Sequence, residues 1–128
     1  MSSLLDGMRI LVLEDEFLIA MDVEQLCRDH GARDVTILRS LDGLEPGTAA
    51  EYDAAIIDVM LDGGSTLDFA RKLHERGLPF VFASGYTDFD EISKTFPGVT
   101  LVGKPYSGDD LIAAVAAACR LLSPSGGV

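Results

Sequence analysis

The stretch AAIIDVM, residues 54–60, constrains the fold of this chain more than any other segment. Four apolar residues run without interruption into a single carboxylate, Asp58. A continuous apolar run of this length is typical of a strand that is covered on both faces, and such strands belong to parallel sheets. Functional groups in open parallel sheets collect beyond the carboxyl ends of the strands. Asp58 is therefore either part of a functional site or a turn or helix-capping residue, which is also common after a strand.

The composition fits one globular domain. Hydrophobic residues make up 48% of the 128 residues and charged residues 24%, which excludes a mainly disordered chain. We predict a single domain over residues 1–128, with its core at 8–122 and a flexible tail at 123–128.

The net charge and the cysteine spacing indicate which partners and which cellular compartment the protein has. A formal net charge of −11 argues against direct binding to nucleic acid or to anionic membranes. No apolar run approaches the roughly 20 residues of a membrane span. Residues 1–8 lack the pattern of a signal peptide. Cys27 and Cys119 have neither metal-site spacing nor disulfide density, so we predict reduced packing residues in a cytoplasmic protein.

Apolar runs and helical spacings alternate along the chain. The runs predict strands at Met8–Leu13, Asp34–Leu38, Ala54–Met60, Pro79–Ala83 and Val99–Val102. Between them we predict a helix from Phe17 to a stop at Gly31, a weak helix over Ser40–Ala50, a helix over Ser65–Arg76 and a poor helix over Asp88–Phe96. A capping box over Ser107–Asp110 begins a strong last helix that ends at Leu122. This alternation predicts a doubly wound α/β domain of three layers.

Polar residues lie at or just after the carboxyl ends of four of the predicted strands. They are Glu14 and Asp15 after the first strand, Asp58 near the end of the third, Ser84 after the fourth and Lys104 after the fifth. Since the strands are parallel, these side chains converge at one edge of the sheet. Gathered carboxylates repel one another unless they hold a cation, and oxygen ligands suit Mg²⁺. A lysine and a serine hydroxyl bind phosphoryl oxygens, so the set predicts phosphoryl transfer onto Asp58.

Four motifs, LVLEDE, IIDVM, ASG and GKPY, occur in the order and spacing of a known family. The chain resembles the receiver domain of response regulators in bacterial two-component signalling, from Met8 to Leu122. The resemblance implies a flavodoxin-like (βα)5 fold with a five-stranded parallel sheet of order 2-1-3-4-5.

The resemblance also implies a role for each motif residue. Asp58 would be the phosphoacceptor, while Ser84 and Lys104 would hold the phosphoryl group. Asp15 would bind Mg²⁺ directly, Glu14 through water and Met60 through its backbone carbonyl; Asp58 would complete the ligands.

A receiver catalyses only its own phosphorylation and dephosphorylation. A histidine kinase or phosphotransfer protein would donate the phosphoryl group. The stand-alone receiver would then change its affinity for a downstream protein or act as a phosphate sink in a phosphorelay, as a monomer or a phosphorylation-dependent homodimer.

Some positions depart from the common receiver pattern. Most receivers carry an aromatic switch residue where this chain has Leu101, and the segments PFVFASGY and KPY resemble the subgroup nicknamed FAT GUY. The candidate switch residues are Ser84, Tyr86, Leu101, Pro105 and Tyr106, although both tyrosines could instead be amphipathic residues of the sheet rim. Asp62 replaces the usual proline and Thr66 the usual glycine; Asp62 either adjusts metal affinity or is a solvated loop acid.

Two other classes use a similar fold. A phosphatase of the haloacid dehalogenase type also forms an aspartyl phosphate, but it needs a second Asp where this chain has Met60. A flavin-binding module needs a hydroxyl- and glycine-rich phosphate loop after the first strand, where Glu14, Asp15 and Glu16 would repel a phosphate.

Overall fold

A computed structural model describes residues 4–40, 51–61, 64–84, 94, 96, 101–103 and 108–122, with only the backbone for Met60, Ser84 and residues 120–122. The strands are β1 (Arg9–Leu13), β2 (Asp34–Leu38), β3 (Ala54–Ile57), β4 (Met60–Leu61), β5 (Gly64–Ser65), β6 (Phe80–Ser84) and β7 (Leu101–Gly103). The helices are α1 (Phe17–Asp29), α2 (Leu67–Glu75) and α3 (Gly108–Leu122). Three predicted segments lie wholly or almost wholly outside the described residues: the weak helix over Ser40–Ala50, the poor helix over Asp88–Phe96 and the tail. Four predicted site residues also lie outside them: Tyr86, Lys104, Pro105 and Tyr106.

The main sheet has the predicted topology. Its strands pair in the order β2-β1-β3-β6-β7, and every pair is parallel. Counted along the chain, the main-sheet strands therefore follow the order 2-1-3-4-5, which confirms the prediction of a flavodoxin-like sheet.

Alternate residues of the strands face two different cores, since successive side chains of a strand point to opposite faces. Leu11 and Leu13 of β1 pack in the core that contains α2, together with Phe82 of β6. Ile10 and Val12 pack in the opposite core, which contains residues of α1 and α3. Helices on both faces of a central sheet give the predicted three layers.

The prediction of one strand over Ala54–Met60 is wrong at its carboxyl end. Strand β3 ends at Ile57, opposite Leu13, where β1 also ends. Beyond this point the Thr66 hydroxyl binds the carbonyl oxygens of Asp58 and Val59. The chain therefore leaves the main sheet, and β4 forms a short antiparallel pair with β5.

The other boundaries shift by one or two residues. Ser84 belongs to β6 rather than to the turn after it, and α2 begins at Leu67 because Ser65 lies in β5. The N-cap of α2 is Thr66, so the helix-capping alternative for Asp58 is wrong for this helix.

Cys27 is buried in the core between the sheet and α1, and both cysteines are free thiols, as predicted. Burial raises the pKa of the Cys27 thiol to about 12, because the thiolate would lose its hydration. Cys27 is therefore a packing residue in its neutral form.

None of the helices that the structure describes is long and apolar enough to cross a membrane.

Gly31 and Gly77 end α1 and α2 in the left-handed region, with φ of +96° and +76°. A Cβ atom at Gly31 would lie 3.0 Å from the Asp6 Cα, whereas a Cβ atom at Gly77 would meet nothing within 4 Å. We expect Gly77→Ala to lower the free energy of unfolding by about 1 kcal/mol through backbone strain alone. Gly31→Ala should cost about 1–2 kcal/mol more, because the Asp6 backbone must also move. Urea denaturation measures both, and equal losses would show that the Asp6 contact contributes nothing.

Candidate functional site

Three carboxylates converge where β1 and β3 end. The Asp58 N–H donates to the Leu13 carbonyl at 2.9 Å, and the Glu14 N–H donates to the Leu38 carbonyl at 3.1 Å. These bonds continue the pairing of the sheet one residue past the strand ends, so Asp58 lies beside the start of the acidic turn. One carboxylate oxygen each from Glu14, Asp15 and Asp58 lie within 4.8 Å of one another.

The cluster is largely shielded from water. Glu14 is 3% exposed, Asp58 is 8% exposed and Asp15 is half-buried. The Glu14 Oε2 atom accepts a hydrogen bond from the Glu16 N–H at 3.1 Å, which orients this carboxylate at the beginning of α1. Surface carboxylates often lie together without an ion, but like charges at this spacing repel one another, and a cation among them would offset that repulsion. The all-oxygen donor set therefore fits a hard divalent cation such as Mg²⁺.

The backbone of Ser84 lies at the same edge of the sheet. Phe82 is paired with Ile57, and Ser84 is paired with Gly103 at the end of β7. The predicted phosphate-binding pair Ser84 and Lys104 thus includes one residue at this edge and one that follows Gly103, outside the described residues. Met60 lies in β4, two residues after Asp58.

Leu101, the residue at the usual aromatic switch position, is half-buried and packs against the core that contains α2. Its neighbour in the sheet is Phe82. The aromatic groups of this region belong instead to Phe80, Phe82 and Phe96, whose rings make edge contacts with one another. The proposed switch roles of Ser84, Tyr86, Leu101, Pro105 and Tyr106 stay predictions.

Thr66 is the residue of this site that the sequence analysis missed. It is completely buried, and its Oγ1 atom lies 2.6 Å from the Asp58 carbonyl oxygen and 3.0 Å from the Val59 carbonyl oxygen. The sequence showed Thr66 only as a departure from the usual glycine. A threonine just before a helix suggests an N-cap, yet this side chain makes no cap hydrogen bond to α2.

Apolar side chains on the surface of α1 follow the acidic turn directly. Phe17, Leu18 and Met21 are all exposed, and we call them the α1 patch. The Arg39 guanidinium lies 5.9 Å from the centre of the Phe17 ring. The patch therefore begins two residues after Asp15 in the chain, and the Arg39 guanidinium lies beside it.

Curated relatives and solved structures agree on the family. The cell cycle transcriptional regulator CtrA of Caulobacter vibrioides is 29% identical over 117 residues, which are 88% of this chain and 51% of that protein. The transcriptional regulatory protein DltR of Streptococcus agalactiae is 31% identical over 112 residues, 84% of this chain and 50% of that protein. The chain thus spans about half the length of these curated relatives. No family model matches the sequence.

The solved structures show the same fold. The response regulator PhyR from Brucella abortus superposes with a TM-score of 0.73 at 25% identity, covering 97% of this chain and 53% of that one. The non-phosphorylated receiver domain of HemR from Leptospira biflexa superposes with a TM-score of 0.74 at 20% identity, covering 91% and 97% of the two chains.

Receiver domains are a class of signalling phosphoacceptors, and the fold of this chain is that of a receiver domain. The chain belongs to the receiver-domain family of response regulators. Membership of the FAT GUY subgroup stays a prediction.

Proposed function

We propose that Asp58 accepts a phosphoryl group from the phosphohistidine of a histidine kinase or phosphotransfer protein. The observation that carries this proposal is the cluster of Glu14, Asp15 and Asp58 at the carboxyl edge of a receiver sheet. The receiver then changes its affinity for a downstream protein or serves as a phosphate sink, as a monomer or as a phosphorylation-dependent homodimer.

The chemistry is an in-line displacement at phosphorus. One Asp58 carboxylate oxygen forms the new O–P bond, while the P–N bond to the donor imidazole breaks and the imidazole leaves with the electron pair. Low exposure of Asp58 keeps its carboxylate poorly hydrated, so little water has to leave before attack. Ser84 and Lys104 hold the phosphoryl oxygens after transfer, and this new attraction favours one arrangement of the surrounding segments.

Asp15 and Asp58 would hold Mg²⁺ directly, Glu14 would hold it through water, and Met60 would contribute its backbone carbonyl. Mg²⁺, when bound, supplies positive charge beside the oxygens of the transferring group. The donor set supports this assignment because it consists of carboxylate oxygen atoms that lie within 4.8 Å of one another, and oxygen is the ligand type that Mg²⁺ prefers.

The α1 patch supports a protein as phosphodonor. Phe17 follows Glu16 directly, so apolar surface begins next to the acceptor site. Exposed apolar side chains beside a reactive group are typical of a surface that a protein partner covers. The negative charge of the chain disfavours a nucleic acid there.

Mass spectrometry of the protein treated with acetyl phosphate and Mg²⁺ tests the proposal. We expect one phosphoryl group per chain, located on Asp58 by peptide mapping, and none when EDTA removes the metal. Protein kept with Mg²⁺ alone is the control. Phosphate on another residue, or incorporation that EDTA does not change, would contradict the assignment.

A further inference from the structure

We propose that Thr66 is a positioning residue for the phosphoacceptor, because its hydroxyl holds the backbone that carries the Asp58 carboxylate. The proposal rests on the proposed role of Asp58 and names a further residue that this role depends on. Thr66 does not touch the phosphoryl group in this scheme. It acts through Asp58 and Val59.

The backbone of Asp58 is held from two sides. Its N–H donates to the Leu13 carbonyl at 2.9 Å, which ties it to β1. Its carbonyl oxygen accepts from the Thr66 hydroxyl at 2.6 Å, which ties it to the beginning of α2. Because both peptide groups next to the Asp58 Cα are fixed, the direction in which the side chain leaves the backbone is fixed as well. That direction is what brings its carboxylate within reach of Glu14 and Asp15.

Thr66 also closes the loop that follows the acceptor. The Val59 carbonyl oxygen accepts from the Thr66 N–H at 2.9 Å and lies 3.0 Å from the Thr66 hydroxyl. The closed loop contains Met60, whose backbone carbonyl we propose as a metal ligand. The buried Thr66 side chain therefore fixes the position of the backbone that carries the acceptor carboxylate and of the peptide group that follows it.

Thr66 is itself held in place by its burial and by its hydrogen bond to α2. Thr66 is completely buried, and its carbonyl accepts the first helical hydrogen bond of α2 from the Ala70 N–H at 2.9 Å. Ala70 and Phe69 pack in the core between α2 and the sheet. The hydroxyl thus connects the acceptor to a packed helix, whereas a glycine at this position could make no such bond.

Thr66→Val removes the hydroxyl and keeps the shape of the side chain, while Thr66→Ser keeps the hydroxyl. We expect Thr66→Val to weaken Mg²⁺ binding about tenfold, measured by isothermal titration calorimetry, as loss of an outer-shell partner does at other metal sites. The rate of phosphorylation by acetyl phosphate at saturating Mg²⁺ should also fall about tenfold. Thr66→Ser should restore both values to within about threefold of the unaltered protein.

Val23→Ala is the control for a merely structural role. Val23 is buried in the opposite core, so this variant loses stability without touching the site. We expect normal Mg²⁺ affinity and phosphorylation rate in Val23→Ala at a temperature where both variants are folded. Equal losses in Val23→Ala and Thr66→Val would overturn the proposal, as would unchanged Mg²⁺ affinity and rate in Thr66→Val.

The role of Thr66 can still be tested if Thr66→Val does not fold or if the unaltered protein takes up no phosphate. If Thr66→Val does not fold, the pair Thr66→Ser and Thr66→Cys replaces it, since the two differ mainly in the strength of the donor; equal Mg²⁺ affinities in that pair would overturn the proposal. If the unaltered protein takes up no phosphate, the proposed function fails, whereas the Mg²⁺ titrations still support or overturn the role of Thr66.

Discussion

Asp58→Asn is expected to abolish phosphorylation by acetyl phosphate. An amide keeps the shape of the side chain but offers no carboxylate oxygen to attack phosphorus. We expect incorporation to fall below the detection limit of intact-mass spectrometry, the largest effect of any single substitution in the site. Retained incorporation at the normal rate would show that another residue is the acceptor.

The same substitution should stabilise the protein when no metal is bound. Asp58 lies within 4.8 Å of two other carboxylates, so neutralising it removes two repulsions. We expect the free energy of unfolding in EDTA to rise by about 1 kcal/mol, a fraction of the roughly 4 kcal/mol between unit charges at 4 Å near a protein surface. Urea denaturation measures the change. A loss of stability in EDTA would contradict the interpretation of the cluster as mutually repelling charges.

Asp53→Asn is the matched control for both measurements. Asp53 precedes the other end of β3, where its exposed side chain accepts a hydrogen bond from the Arg9 N–H at 2.8 Å. The substitution removes the same charge from the same segment without touching the cluster. We expect normal phosphorylation and no gain of stability in EDTA.

Phe82→Ala is expected to lower the free energy of unfolding by about 3–5 kcal/mol. Phe82 is completely buried in β6, and its ring lies 5.4 Å from the ring of Phe80 and 5.5 Å from the ring of Phe96. Truncation leaves a cavity and removes both edge contacts. Domains of this size are stable by about 5–15 kcal/mol, so one substitution removes a large share. Thermal and urea unfolding measure the loss.

Phe17→Ala is the same truncation at an exposed site and serves as the control. Phe17 is 58% exposed at the beginning of α1, so its loss should change stability by no more than about 0.5 kcal/mol. Should Phe82→Ala fail to fold, Phe82→Leu replaces it and should cost less than Phe82→Ala, because it leaves a smaller cavity. Similar losses in Phe17→Ala and Phe82→Ala would contradict the packing described for β6.

Sequence patterns predicted the sheet because its strands depend on local runs of apolar residues. The residues Ile10–Leu13 and Ala54–Ile57 are buried on both faces, so their apolar character is continuous and visible. The acidic cluster was predictable for the same reason, since the carboxyl ends of parallel strands meet at one edge.

The hairpin of β4 and β5 and the role of Thr66 were not predictable in this way. Each of the two strands has only two residues, too few for any period in the sequence. The Thr66 hydroxyl binds carbonyl groups seven and eight residues away, and backbone acceptors leave no trace in residue type. The same contacts lie just beyond the end of β3 at Ile57, so the sequence did not show where this strand ends.

The burial of Leu5 has a practical consequence for handling this protein. Leu5 is completely buried in the core that contains α1, and the N–H groups of Leu5 and Gly7 donate to the carbonyls of His30 and Gly31. Residues ahead of β1 therefore form part of the folded domain. An affinity tag attached directly before Met8, in place of these residues, would open the core, so tags and fusion partners belong upstream of Leu4 or at the opposite terminus.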